Sequence, residues 1–314
     1  MNIFNERAGL GMSTSLILHP VAPFRLDYTV FALRRRSKNN VDLWDGQHYT
    51  RLLVMDNMPV KVVVTQELNE AQLLLTIESE YPELFLNRIG NELEKLLGLK
   101  CNLNHFYQIT QQDAQLQPVV CQFKGLKPPR FPSIFEALVN AISCQQISLD
   151  AGLHIQNRLT EFLSIRLQEK ERVLYAFPRP DAVANCTVSE LKKIGYSTHK
   201  SETLIQIAAA IVDDQSSFSS LENKSNDEVL SFLCRFKGIG RWTAEYVLLR
   251  GLGRTDIFPG DDVGAQNNLY QMLHLDKKPD YKKIAEITAK WYPYAGLVYF
   301  HLLLKKLDEK RVLK

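Results

Sequence analysis

Cysteine is scarce and scattered. Five residues, Cys101, Cys121, Cys144, Cys186 and Cys234, are spread over 314 positions with no CxxC pair and no Cys/His cluster. That spacing excludes a zinc ribbon or an iron–sulfur cluster, and an odd, dispersed set supplies no disulfide framework. Small buried hydrophobes in a reducing cytoplasm are the expectation. No stretch reaches the ~18 uninterrupted apolar residues of a spanning helix, and the opening MNIFNERAGLGMSTSLILHP has no apolar signal core, so no membrane is expected. A large charge excess is missing as well. Lys and Arg number 38 against 35 acids, a net charge of +3 that permits a nucleic-acid partner without demanding one. Repeats and low-complexity tracts are absent, which removes solenoid architectures. What is present is 45% hydrophobic and 23% charged, the composition of an ordinary globular chain long enough for about two domains.

The first third reads as strands. APFRLDYTVFALRRR, HYTRLLVM, PVKVVVTQE and AQLLLTIESE are aliphatic or β-branched runs, broken by turn signals at Asp45-Gly46 and Asp56-Asn57. A helix follows from about Pro82 to Leu97, with Leu84, Leu86, Ile89, Leu93 and Leu97 near helical spacing. Strands followed by helices predict an antiparallel sheet with helices on one face. After QITQQDAQLQ the period changes, and from Phe131 nearly every segment is helical, punctuated by Pro and Gly. The chain is therefore expected to be α+β, with an N-terminal sheet domain over 1–112 and an all-helical domain over 113–314.

The segment FKGIGRWTAEYVLLRGLGRTDIFPGDD carries the chemistry. Asn226-Asp227 reads as the cap of a helix ending at Phe236-Lys237, and Arg241 opens the next. Gly238 and Gly240 allow a sharp reversal and leave backbone N–H groups at a helix N-terminus, where an anion is favoured. Ile239 can plug the core between the helices, while Lys237, Arg241 and the Thr243 hydroxyl can add donors. A lone GxG is usually plain turn geometry, but this combination, over about 227–250, looks like the helix-hairpin-helix motif that holds one DNA phosphate without reading sequence. Downstream, one of the adjacent Asp261 and Asp262 can cap a helix beginning near Val263, which frees the other to face outward. Asp261 is the expected cap.

GIGRWTAEYVLLRGLGRTDIFPGDD, with IFEALVNAISCQQIS and GYSTHKSETLIQIAA upstream and KWYPYAGLVYFHL downstream, resembles the helix-hairpin-helix DNA glycosylases, most closely the DNA-3-methyladenine glycosylase II group. The resemblance is strong over 131–304 and loose before that. It implies a two-lobed all-α glycosylase core, duplex DNA with damaged bases as partner, and Asp262 as the essential carboxylate. It also implies excision of alkylated purines by base flipping and hydrolysis, leaving an abasic site. No metal or organic cofactor is implied, although a monovalent cation at the hairpin carbonyls is. Trp242 occupies the place of the Schiff-base lysine in strand-cutting members, so a monofunctional enzyme is expected. Trp242 and Tyr246 share a helix face, and Tyr294 corresponds to a further pocket aromatic. Gln146, with Gln145 beside it, matches the wedge that fills the gap left by a flipped base. Arg130 and Lys127 are placed near the same groove. The run Arg34-Arg35-Arg36-Ser37-Lys38 reads as a solvated strand end. Val263 and Tyr294 depart from the family pattern, which leaves the base range open. The rival readings are a glycosylase for oxidised guanine or another lesion, and a non-catalytic DNA-binding protein. A cytoplasmic monomer, nucleoid-associated if bacterial, is expected.

Overall fold

Alternating side chains in the first third build one antiparallel sheet from β1 (Met12–Leu18), β2 (Leu43–Trp44), β3 (His48–Met55), β4 (Met58–Thr65) and β5 (Leu73–Ser79), ordered β1-β5-β4-β3-β2. The computed structural model describes residues 12–67 and 71–313, so most of the N-terminal stretch read for a leader lies outside it. Asp56 and Asn57 turn β3 into β4 with φ of 51° and 66°, as a two-residue hairpin of this hand requires. Val60, Val62, Val64, Leu73, Leu75 and Ile77 point to one buried face. Each stabilises the fold by ~1.5–3 kcal/mol relative to an exposed position.

The segment expected as a first strand is instead α1 (Leu26–Arg34). Thr29, Val30 and Phe31 suggest extended chain locally, yet Leu26, Val30 and Leu33 are buried at helical spacing, and burial nearly all round erases the polar face that would mark a helix. The edge strand β1 lies where no element was expected. Next comes α2 (Pro82–Leu96), packed on β1 and β5. Its sheet-facing stripe is Phe85, Ile89, Leu93 and Leu96, while Leu84, expected in that stripe, is 67% exposed.

Residue 112 falls between α3 (Asn104–Thr110) and α4 (Gln117–Gln122), and both helices pack into one cluster with the C-terminal helix. The remaining chain is helical except for a small hairpin, β6 (Arg166–Gln168) with β7 (Val173–Tyr175). Its helices are α5 (Ile134–Cys144), α6 (Leu149–Leu163), α7 (Pro180–Ala184), α8 (Val188–Lys193), α9 (Thr198–Asp213), α10 (Gln215–Ser220), α11 (Asn226–Leu233), α12 (Arg241–Arg250), α13 (Val263–Met272), α14 (Tyr281–Thr288) and α15 (Ala295–Glu309). The sheet is locked to α5 through Arg51 on β3, which pairs with Asp42 at 2.7 Å and with Glu136 at 2.6 Å, all three buried.

Within α15, His301 is fully buried and its Nδ1–H donates to the Leu297 carbonyl at 2.8 Å. Burial pushes its pKa down to about 4. Because the folded value lies below the unfolded one, its neutral form contributes full stability above about pH 6.5, and that contribution is lost as pH falls toward 4. The loss approaches ~1.4 kcal/mol per pH unit within that window. Denaturant unfolding at pH 7 and pH 5 should show the drop, and a His301→Phe variant should lose less over the same interval.

Candidate active site

Ser225, one residue ahead of the expected cap, closes the N-terminus of α11. It accepts from the Glu228 N–H, and Glu228 returns a bond to the Ser225 N–H at 2.8 Å. Between α11 and α12 the turn places Gly238 at φ +88°, where a Cβ would collide with Thr203 Oγ1. That glycine is required twice over, by backbone and by packing. Ile239 is buried beneath the turn as its position predicts. Gly240 differs, since a Cβ there would meet nothing within 4 Å and the residue is exposed. It begins α12 with no side-chain cap, so the first-turn N–H groups stay open to an anion.

The donors expected around this turn separate. Lys237 is exposed. Thr243 is buried, and its hydroxyl accepts from Gln145 Nε2 at 3.0 Å, so it faces the protein and not the outer surface. Arg241 is exposed but engaged: Nε and Nη2 donate to Asp261 Oδ2 at 2.9 and 2.8 Å, and its guanidinium stacks 3.5 Å over the Tyr281 ring. Lys127 is buried and donates to the Cys101 carbonyl at 2.6 Å, far from the groove role expected of it. Arg130 donates to the Leu252 carbonyl and pairs with Glu222 at 3.5 Å. Cys121 and Cys234 are exposed, contrary to the expectation that the cysteines are core residues.

The cap falls to the other aspartate than the one expected. Asp262, not Asp261, caps α13, its Oδ1 accepting from the Ala265 N–H at 2.8 Å. The other oxygen of the same carboxylate, Oδ2, accepts from Trp242 Nε1–H and from the Tyr299 hydroxyl, both at 3.3 Å. One carboxylate therefore both caps α13 and meets the two aromatic donors, because its two oxygens diverge. Asp262 is half-buried: neither in bulk solvent nor sealed away, and it sits beside the helix that follows the glycine turn.

Around it the aromatics are only partly those expected. Trp242 and Tyr246 adjoin with ring centroids 5.8 Å apart, and Tyr246 stacks on Phe131. Tyr294 instead packs on Phe106 and His105, its hydroxyl 3.3 Å from His105 Nδ1. The aromatic that reaches the carboxylate from α15 is Tyr299, a residue the sequence did not single out although it lies in the quoted VYFHL run. Val263 is 61% exposed.

The break between α5 and α6 presents Gln146 and Ile147 at the surface, with Gln146 at φ +56°. Gln145 turns inward. Its Nε2 donates to the Gly238 carbonyl and to Thr243 Oγ1, both at 3.0 Å, joining this loop to the hairpin. Lys200 Nζ holds the loop from the other side through the carbonyls of Ser143 and Gln145 at 3.0 and 2.8 Å. At the hairpin, the Lys237 carbonyl accepts from Thr203 Oγ1 and the Gly238 carbonyl from Gln145. Each keeps a lone pair with which it could share a monovalent cation. Among the described residues no cluster of His, Cys, Asp or Glu could hold a metal ion.

A half-buried carboxylate that accepts from two aromatic donors thus lies next to a glycine turn that exposes helix N–H groups. The family model of the HhH-GPD superfamily of base excision DNA repair proteins matches residues 139–294 of this chain. It is 29% identical over 210 residues to the DNA-3-methyladenine glycosylase of Bacillus subtilis, covering 67% of this chain and 69% of the relative. It is 22% identical over 280 residues to DNA-3-methyladenine glycosylase 2 of Escherichia coli, covering 89% and 93%. Among solved structures, the 3-methyladenine DNA-glycosylase of Archaeoglobus fulgidus shares the fold with a TM-score of 0.79 at 24% identity, covering 94% of this chain and 98% of that one.

Proposed function

We propose that the protein is a monofunctional DNA glycosylase of base excision repair, acting as a monomer on duplex DNA to excise alkylated purines such as 3-methyladenine. The observation that carries this reading is Asp262, held at the hairpin with one oxygen committed to α13 and the other to Trp242 and Tyr299. Breaking the C1′–N bond sends its electron pair to the base and leaves positive charge on the sugar, as in glycoside hydrolysis. Asp262 faces that charge. Water then adds its oxygen to C1′ and loses a proton toward the same carboxylate.

The rest of the site supports delivery of the base. Open N–H groups after Gly240, with Lys237 beside them, suit one phosphate. Gln146 and Ile147 project where a wedge would enter the stack, while Gln145 acts as their anchor. Trp242 offers a ring face to an electron-poor base, while Tyr246, only 2% exposed, packs behind it as core against Phe131. No lysine stands at position 242, which supports hydrolysis without strand cleavage. A monovalent cation at the carbonyls of Lys237 and Gly238 would add positive charge next to the phosphate, and no chemical step depends on it. Incubation with methylated duplex DNA should release free 3-methyladenine and leave sites that break only after alkali. Tight duplex binding without any released base, or a borohydride-trapped covalent complex with strand breaks, would overturn the reading.

A further inference from the structure

The basic run Arg34-Arg35-Arg36 is not the solvated strand end that its composition suggests. Arg34 is buried, Arg35 Nη2 donates to Asn140 Oδ1 on α5 at 2.7 Å, and Arg36 pairs with Asp150 on α6 at 2.9 Å. The two helices that flank the exposed Gln146 and Ile147 are thereby tied to the turn after α1. The break between them is held by a different cation, Lys200 on α9.

No glycine ends α5. Its cap, Gln145, is non-helical at φ −57° and ψ 131°, and Gln146 follows in the left-handed region at φ 56°. That conformation is costly for a residue with a side chain unless the surroundings impose it. The last carbonyls of a helix also lack partners within it. Lys200 Nζ supplies them here, donating to the Ser143 carbonyl at 3.0 Å and to the Gln145 carbonyl at 2.8 Å. Lys200 is half-buried, which lowers its pKa, and among the described residues no carboxylate pairs with it. Its charge is directed at those two oxygens. Just ahead of α9, the buried Tyr196 hydroxyl meets Ser143 Oγ at 2.7 Å.

The same face of α9 holds the hairpin. Thr203, three residues on from Lys200, is buried, and its Oγ1 reaches the Lys237 carbonyl at 3.2 Å where a Cβ on Gly238 would fall. Gln145 closes the triangle through its bonds to the Gly238 carbonyl and Thr243 Oγ1. One helix therefore fixes both the turn suited to a phosphate and the loop that projects Gln146. Their separation is set before any duplex arrives. Entering a base stack works against stacking and pairing, and a loop free to recoil would yield in place of the duplex.

Resting on the glycosylase reading above, we propose that Lys200 is a positioning residue for base flipping. It acts through the main chain of residues 143–145, holding Gln146 and Ile147 in the posture that opens the stack. Its contribution is made while a paired base leaves the helix, and not at the bond that breaks afterwards.

Single-turnover release at saturating enzyme tests this with the wild type, Lys200→Met and Lys200→Arg on two duplexes. One carries 7-methylguanine paired with cytosine, and the other carries the same base unpaired in a one-nucleotide bulge. Each has 2-aminopurine beside the lesion, whose fluorescence rises on unstacking. The paired-to-bulged rate ratio should fall ~10-fold or more in Lys200→Met, the scale of a hydrogen bond to a charged group. The fluorescence rise on the paired duplex should shrink with it. Lys200→Arg, which keeps a cation and its donors, should lose less. Each ratio is taken within one preparation, so a smaller folded fraction cancels. An unchanged ratio, with both rates lowered or with neither, would assign Lys200 a structural role and overturn the proposal. Release from neither duplex by the wild type would count against the glycosylase reading instead. The fluorescence would then decide on Lys200, and equal rises in the wild type and Lys200→Met would overturn its role.

Discussion

Asp262→Asn is expected to slow single-turnover base release about 10³-fold while leaving affinity for an abasic-site duplex nearly unchanged. A carboxylate ~4 Å from a developing sugar cation contributes about 4 kcal/mol at an effective dielectric near 20, which at ~1.4 kcal/mol per decade corresponds to that factor. The structure dictates the choice of variant. Oδ1 of Asp262 caps α13, and asparagine caps as well as aspartate, so the helix keeps its start. Alanine would also remove the cap, at a cost of about 1 kcal/mol, and would mix folding with chemistry. The carboxamide has a single oxygen, so with that atom on the Ala265 N–H its NH2 meets Trp242 and Tyr299: the tyrosine hydroxyl can turn to accept, and the tryptophan bond is lost. Release within threefold of the wild type would remove Asp262 from the reaction. Parallel loss of abasic-site affinity would make its role architectural.

Arg51→Met is expected to lower folding stability by ~3–5 kcal/mol, because it strands two buried carboxylates. Asp42 and Glu136 each depend on this guanidinium; the further side-chain donors reach Asp42 only, from Tyr49 at 2.8 Å and Asn39 at 3.4 Å. Burial already holds Glu136 up at about 7 despite the arginine. Without it the folded-state value rises further. A raised folded value means that stability is retained at low pH and lost as pH rises. The variant should therefore recover part of its deficit between pH 7.5 and pH 5.5, read from urea midpoints. A deficit independent of pH would mean that the loss comes from packing and not from charge. Since Glu136 lies on α5, whose end bears Gln145 and Gln146, weaker base release ought to accompany the lower stability.

The two helices of the hairpin, the strands β3 to β5 and the α5–α6 break were legible because each depends on near neighbours in the chain. Asp56-Asn57 makes its own turn, and CQQIS interrupts a helical period without outside help. The errors have an equally definite origin. α1 is buried on almost every side, so its sequence shows no polar stripe and its β-branched residues mislead. Arg35 looks like surface charge because nothing adjacent in the chain reveals Asn140, its partner 105 positions away. Tyr299 and Tyr294 lie in one aromatic run, and only the direction each takes in space separates the residue at Asp262 from the one at His105.

From the amino-acid order alone came the local chemistry: a glycine turn able to bare helix N–H groups, two aromatics on one helix face, and a pair of carboxylates at a helix start. Those properties arise from residue type and short-range spacing. Tertiary packing decided that Asp262 caps α13, that Gln145 braces the loop while Gln146 projects, and that Arg250 lies buried against the Tyr246 ring. Such outcomes depend on segments brought together from distant parts of the chain, where burial gives a charge a consequence that it lacks in water.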